Sequence, residues 1–213
     1  MRSETAIANT PNSNVMSGSK PTFLSKGSMQ FLIMDAPRST NLFHYIKECK
    51  RHNVTDIVRV CEPTYSTSDL TKAGISLHEM PYPDGHSPPD EVLDRWLTLV
   101  DERFIHPTAP FTPAVAGVPN NINGSTHHSE VRPDLSGPTI AVHCVAGLGR
   151  APVLVAIALI EFAKMEPVDA ATFIRKHRRG AINNTQLDWL NRYKRRYRRS
   201  KVGGSGDACC IVM

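Results

Sequence analysis

The stretch from Thr139 to Phe162 constrains the fold more than any other part of the chain. Thr139-Ile140-Ala141-Val142 is short, apolar and β-branched. His143-Cys144 and a glycine-containing turn, Val145-Ala146-Gly147-Leu148-Gly149, follow, and from Ala151 to Phe162 the sequence is almost wholly apolar. A short apolar run ending in turn signals reads as a buried strand. A helix that is apolar on every side must be covered on most sides. Pro152 is compatible with this helix because it falls in the first turn, where its missing N–H has no helical partner.

The remaining elements alternate in the same way. Phe31 to Met34, Thr55 to Val60 and Ile75 to His78 read as strands. Ser39-Thr40-Asn41 offers caps for a helix carrying Leu42, Phe43, Ile46 and Cys49, and Asp69 to Lys72 reads as a short helix stopped by Gly74. Pro88-Pro89 opens a helix with a stripe of Val92, Leu93, Trp96, Leu97, Val100 and Phe104. Val168 to His177 forms another helix, ended by Gly180. Asn184 or Thr185 caps a last one, with Leu187, Leu190, Tyr193 and Tyr197 as its apolar face. Strands alternating with helices predict an α/β domain, with a mostly parallel central sheet flanked by helices. Its expected bounds are 28–200. Residues 1–27, rich in Ser, Asn, Thr and Pro, form an expected disordered leader. Residues 105–138, with six prolines and three glycines, form an expected mobile insertion, and 201–213 an expected flexible tail.

Length and composition narrow the function classes. A chain of 213 residues suits one domain with a real core. No run approaches the ~18 apolar residues of a membrane-spanning helix, and the N-terminus lacks the apolar core of a secretion signal. Five cysteines are odd in number and too few for a disulfide scaffold. The net charge of +5 is concentrated in Arg192 to Lys201, which holds seven Lys and Arg and no acid. The rest of the chain is close to neutral. That distribution argues against a nucleic-acid-binding face and for a local electrostatic device.

The segment from Cys144 to Arg150 carries the chemistry. Backbone N–H groups of Val145, Ala146, Gly147, Leu148, Gly149 and Arg150 can surround an oxyanion, and the helix that follows adds partial positive charge at the same point. Glycines permit the torsions this needs. Arg150 offers a fork to two phosphate oxygens. A helix N-terminus and a nearby cation also favour the thiolate form of a cysteine, and Cys144 held in line with phosphorus is then a nucleophile for phosphoryl transfer. A bare Cys-x5-Arg arises by chance. The preceding strand, His143, two glycines and the apolar helix make it specific, and the alternative of a buried cysteine before a turn leaves Arg150 unexplained. Pro81-Tyr82-Pro83-Asp84-Gly85 is an ordinary turn by itself, but beside this loop Asp84 becomes the candidate general acid.

His143-Cys144-Val-Ala-Gly-Leu-Gly-Arg150-Ala151-Pro152 resembles the signature of the phosphatases of regenerating liver, the protein tyrosine phosphatase type IVA family. The likeness extends to Ile57-Val-Arg-Val-Cys61-Glu62, Phe173-Ile-Arg and Arg178-Arg-Gly-Ala181, and covers roughly Phe31 to Met213 apart from the insertion. It implies the cysteine-phosphatase, dual-specificity-like α/β fold, a phosphocysteine on Cys144, phosphate binding by Arg150 and acid catalysis by Asp84, with no cofactor and no metal. The implied substrates are phosphotyrosine proteins or phosphoinositides. The resemblance also implies association with membrane magnesium transporters of the CNNM type. Ala151 stands where most related phosphatases have Ser or Thr, which predicts slow hydrolysis of the phosphocysteine. Cys61, at the end of a strand as Cys144 is, is expected either to form a reversible disulfide with Cys144 or to be a simple buried cysteine. Gln186 either positions a water or is an exposed helix-start residue. The chain departs from the family at Met80 and Pro83.

Cys210-Ile211-Val212-Met213 fits the prenylation pattern, with Cys210 as the modified residue and a terminal Met that favours farnesyl. One lipid anchors weakly, and the basic run upstream supplies a second signal toward an anionic leaflet. Gly203 to Gly206 makes a flexible tether. The expected location is the cytoplasmic face of a membrane. The glycosylation-like Asn123-Gly-Ser125 and Asn183-Asn-Thr185, and the pair His127-His128, carry no function in this reading.

Overall fold

The structure, a computed structural model, describes residues 19–107 and 137–197. Its elements run β1 (Thr22–Lys26), β2 (Met29–Met34), α1 (Leu42–Arg51), β3 (Val54–Arg59), α2 (Ser68–Lys72), β4 (Ser76–Glu79), α3 (Asp90–Val100), β5 (Thr139–His143), α4 (Arg150–Phe162), α5 (Pro167–His177) and α6 (Asn184–Arg192). A π-helical turn, Asp101–Ile105, extends α3. The sheet order is β1-β2-β5-β3-β4. Among the described residues only β1 pairs antiparallel, with β2. The other pairings are parallel, with Ile33 opposite Val142 and Val58 opposite Val142 on the two sides of β5.

Strand alternation gives the sheet two apolar faces. Phe31, Ile33, Val58, Ile140 and Val142 pack with α3, α4, α5 and α6 in one core. Leu32, Met34, Ile57 and Ala141 turn to the other face and pack with Leu42, Tyr45 and Cys49 of α1 and Leu70 of α2. Within α4 every residue from Arg150 to Glu161 is buried, as the apolar run from Ala151 to Ile160 requires, and the charged residues at its two ends are held by hydrogen bonds. Trp96 of α3 donates from Nε1 to the Leu154 carbonyl at 2.7 Å, so even the polar atom of this wholly buried ring is satisfied.

The α/β sheet flanked by helices agrees with the sequence reading, and three details correct it. The sheet begins at Thr22, inside the segment 1–27 expected to lack structure. The last helix is capped by Asn183 rather than Asn184 or Thr185: Asn183 Oδ1 accepts from the Gln186 N–H at 2.9 Å, and Gln186 Oε1 accepts from the Asn183 N–H at 3.1 Å. Tyr193 and Tyr197 lie beyond α6 rather than on its face. Residues 1–18, most of the expected insertion and the expected tail 201–213, with Cys210, lie outside the described residues.

Candidate active site

Five successive carbonyls between β5 and α4 are each claimed by a neighbour outside the loop. Val145 O accepts from the Ala36 N–H at 3.0 Å, Leu148 O from the Ile182 N–H at 2.8 Å, and Gly149 O from the Val153 N–H at 3.1 Å. Ala146 O and Gly147 O accept from Arg178, through Nη2 at 3.3 Å and Nε at 2.6 Å. In a planar trans peptide the next N–H points opposite to the carbonyl. Carbonyls held outward therefore turn the N–H groups of Ala146, Gly147, Leu148, Gly149 and Arg150 inward, as a cradle for an oxyanion needs. Gly147 has φ +66°, and a Cβ there would sit 2.3 Å from the Met34 carbonyl, so only glycine fits. A Cβ at Gly149 would lie 3.0 Å from Gln186 Nε2 and 3.8 Å from Asp84 Oδ1, which places both side chains at the rim of the same loop. Gln186 is buried by its capping box rather than exposed.

Cys144 follows the last residue of β5 and is buried. Behind it, His143 Nε2 lies 2.7 Å from Tyr65 Oη, and His143 Nδ1 lies 3.9 Å from Cys61 Sγ. Burial, with the Arg59 charge adding to it, pushes His143 down to about 3, so the ring is neutral. Parallel pairing sets Arg59 opposite His143, so both chains leave the sheet at one edge, and the Val60 N–H donates to the His143 carbonyl at 3.0 Å. Cys61 thereby comes within electrostatic reach of both Cys144 and Arg150. Burial pushes its thiol up. Cys49, Cys61 and Cys144 are all unbonded thiols, and Cys49 in the α1 core is pushed up to about 12 by burial.

Arg150 opens α4 with its guanidinium buried. Nη1 donates to the carbonyls of Val60 at 3.1 Å and Tyr82 at 3.0 Å. Its Nε approaches Asp84 Oδ1 to 3.2 Å, but off the hydrogen-bond direction, so this buried donor has no acceptor among the described residues. Asp84 itself is largely exposed, in a turn completed by Gly85 at φ +76° and by the Gly85 N–H donating to Oδ1 at 3.1 Å. Tyr82, buried two residues earlier, donates from Oη to the Arg150 carbonyl at 3.1 Å and so fastens the Asp84 loop to the start of α4.

The structure thus brings together Cys144, the Val145–Arg150 loop, Asp84, Gln186 and Cys61. Tyr65, Tyr82 and Arg178 were not singled out from sequence as parts of this site. Their contacts to it span 78, 68 and 31 or more residues; Tyr82 and Arg178 lie in segments already noted, the Asp84 turn and Arg178-Arg-Gly-Ala181, but nothing local shows that they reach the loop. Among the described residues no cluster of His, Cys, Asp or Glu is arranged to hold a metal ion, and no helix is long and apolar enough to cross a membrane.

No family model matches the chain. Individual relatives do. The protein tyrosine phosphatase PRL-1 of Leishmania major is 39% identical over 202 residues, covering 95% of this chain and 98% of the relative. Human protein tyrosine phosphatase type IVA 3 is 40% identical over 194 residues, covering 90% and 95%. Among solved structures, a protein tyrosine phosphatase from Leishmania major superposes with a TM-score of 0.64 at 38% identity, over 83% of this chain and all of that one. PTPMT1 in complex with PI(5)P, at 18% identity and a TM-score of 0.53 over 76% of this chain and 88% of that one, shares the fold. With such identity sustained over nine-tenths or more of its length, the chain belongs to the PRL, or type IVA, family of protein tyrosine phosphatases.

Proposed function

We propose that the chain is a membrane-anchored protein tyrosine and dual-specificity phosphatase that works through a phosphocysteine on Cys144 and turns over slowly. One observation carries the catalytic reading: a ring of N–H groups turned inward by outward-held carbonyls, closed by a buried Arg150 Nε that has no acceptor among the described residues. The Cys144 thiolate attacks phosphorus, the ester P–O bond breaks, and Asp84 gives its proton to the departing oxygen. Arg150 and the loop amides hold the phosphoryl oxygens. Water then attacks the phosphocysteine, Asp84 takes its proton, and phosphate and thiolate are released. Gln186, at the loop rim, orients that water.

Ala151 lies buried at the start of α4 without a hydroxyl to support the departing thiolate, so the second step is the slow one. Ala151→Ser is expected to raise kcat about tenfold, roughly 1.4 kcal/mol of barrier; an unchanged kcat counts against this account. The same sheet edge supports a reversible Cys61–Cys144 disulfide as protection against over-oxidation. Farnesylation of Cys210 with the basic run accounts for anchoring, and Cys210→Ser should release the protein to the cytosol.

The deciding experiment quenches the full chain during reaction with a panel of phosphotyrosine peptides and phosphoinositides and locates phosphate by mass spectrometry. Phosphate on Cys144 and loss of turnover in Cys144→Ser are expected. Turnover retained by Cys144→Ser would sink the mechanism. The panel separates peptide from lipid substrates, and retained binding of Cys144→Ser to CNNM-type transporters would separate catalysis from partner binding.

A further inference from the structure

Arg178 follows the last residue of α5 in a cationic run, Lys176-His177-Arg178-Arg179, of which it alone is buried. Its five acceptors are all uncharged oxygens. Nε donates to Gly147 O at 2.6 Å. Nη1 donates to Lys20 O at 3.1 Å and Thr22 Oγ1 at 3.0 Å. Nη2 donates to Ser19 Oγ at 2.7 Å and Ala146 O at 3.3 Å. No carboxylate is hydrogen-bonded to it among the described residues. Asp35 offsets its charge through space rather than through a hydrogen bond, and burying a guanidinium on such terms is costly, so its placement calls for a reason beyond ending a helix. A helix end needs no such group here, because the Arg178 backbone N–H already bonds to the Ile174 carbonyl at 2.8 Å.

We infer that Arg178 is a positioning residue for phosphate binding: by holding the Ala146 and Gly147 carbonyls outward it aims the Gly147 and Leu148 N–H groups at the oxyanion, with Ser19–Thr22 bracing its far side. This rests on the loop from Cys144 to Arg150 being an oxyanion cradle. A planar guanidinium can span two successive carbonyls while three further contacts fix its tilt. Lysine carries the same charge but lacks this fork. The segment before β1 thereby becomes part of the support for a site more than a hundred residues away in sequence.

The test titrates the full chain with tungstate, a non-covalent oxyanion, by calorimetry and by amide NMR. The unsubstituted protein is expected to bind tungstate, with the Gly147 and Leu148 amide protons moving downfield. Arg178→Lys and Arg178→Gln should each weaken tungstate binding at least tenfold and abolish those two shifts, while the Gly149 amide, set by the Leu148–Ile182 bond, still responds. Thr22→Val removes one brace and leaves the guanidinium in place, so it should weaken binding two- to threefold even if the arginine variants fail to fold. Folded arginine variants with unaltered affinity and unaltered Gly147 and Leu148 shifts overturn the inference, as does full rescue by lysine or an unchanged Thr22→Val. If the unsubstituted protein does not bind tungstate, the cradle reading itself fails.

Discussion

His143 is completely buried immediately before Cys144, the proposed nucleophile, with Tyr65 Oη on one ring nitrogen and Cys61 Sγ near the other. Burial, reinforced by Arg59, pushes it from the ordinary 6.5 down to about 3. The folded chain therefore keeps a neutral ring in a range where the unfolded chain binds a proton. The stability this contributes is fully present above pH 6.5 and is lost as pH falls from 6.5 toward 3. Between pH 6.5 and pH 5 the loss should be roughly 1.5 to 2 kcal/mol. Urea unfolding across that range should show the decline, and His143→Gln, which keeps an oxygen and a nitrogen for Tyr65, should show a flatter dependence. Equal slopes for the two proteins would remove His143 as the cause. His143 was legible from sequence only as part of the signature. Its partner Tyr65 was not, because a tyrosine between Thr64 and Ser66 carries no periodic signal and meets the histidine only through the β3–β5 pairing.

At the scale of elements, Asp56 of β3 ties the end of the sheet away from the site to its surroundings. Its buried carboxylate accepts from His78 Nε2 of β4 at 2.8 Å, from Arg103 of the π-helical turn at 2.7 and 3.0 Å, and from Thr55 Oγ1 at 2.7 Å. Burial alone would raise this carboxyl, but the hydrogen bonds from His78, Arg103 and Thr55 outweigh it and hold the group at about 2. Its contribution is thus present above the unfolded value of 3.8 and is lost as pH falls from about 4 toward 2. Asp56→Asn should cost about 2 to 3 kcal/mol, since it strips the charged partner from a half-buried Arg103, and should remove that part of the acid dependence. A variant as stable as the parent at neutral pH would show the cluster to be energetically idle. Elements with strong apolar patterns, such as β5 and α4, were legible within a residue or so. The strand β1 was not: Thr22-Phe-Leu-Ser-Lys26 sits at the edge of the sheet beside a Ser- and Pro-rich leader, so of its five side chains Leu24 alone is fully buried and its pattern is weak. The cap of α6 was ambiguous because Asn183, Asn184 and Thr185 are all good capping residues. Only the reciprocal bond with Gln186 selects the first.

Across the whole molecule, the basic run that sequence assigned to the membrane divides into two parts. Glu161, next to the last residue of α4, has a buried carboxylate that accepts from Tyr193 Oη at 2.6 Å and from the N–H groups of Arg196 at 2.7 Å and Tyr197 at 3.3 Å. This fixes the chain after α6 against α4. Arg195 then donates to the carbonyls of Ile160 at 2.9 Å, Lys164 at 3.0 Å and Met165 at 3.1 Å, satisfying acceptors that the end of α4 leaves open. Arg196 pairs with Asp90 and Asp94 of α3, the helix that follows the Asp84 loop. Exposed ion pairs of that kind stabilise little, whereas three charge-assisted bonds to carbonyls are worth more. Arg195 therefore serves the fold, and the proposed attraction to an anionic leaflet falls mainly to the other cations, each worth on the order of 1 kcal/mol near such a surface. In the full chain carrying the proposed farnesyl group, Arg195→Ala should lower unfolding stability by about 1 to 2 kcal/mol and leave co-sedimentation with phosphatidylserine vesicles nearly unchanged. Replacing Arg198, Arg199 and Lys201 together by glutamine should do the reverse, weakening vesicle binding more than tenfold at low salt with no change in unfolding. If Arg195→Ala weakens vesicle binding as much as the triple replacement does, the run acts as one undivided patch, and the contacts to α4 do not withdraw Arg195 from the membrane.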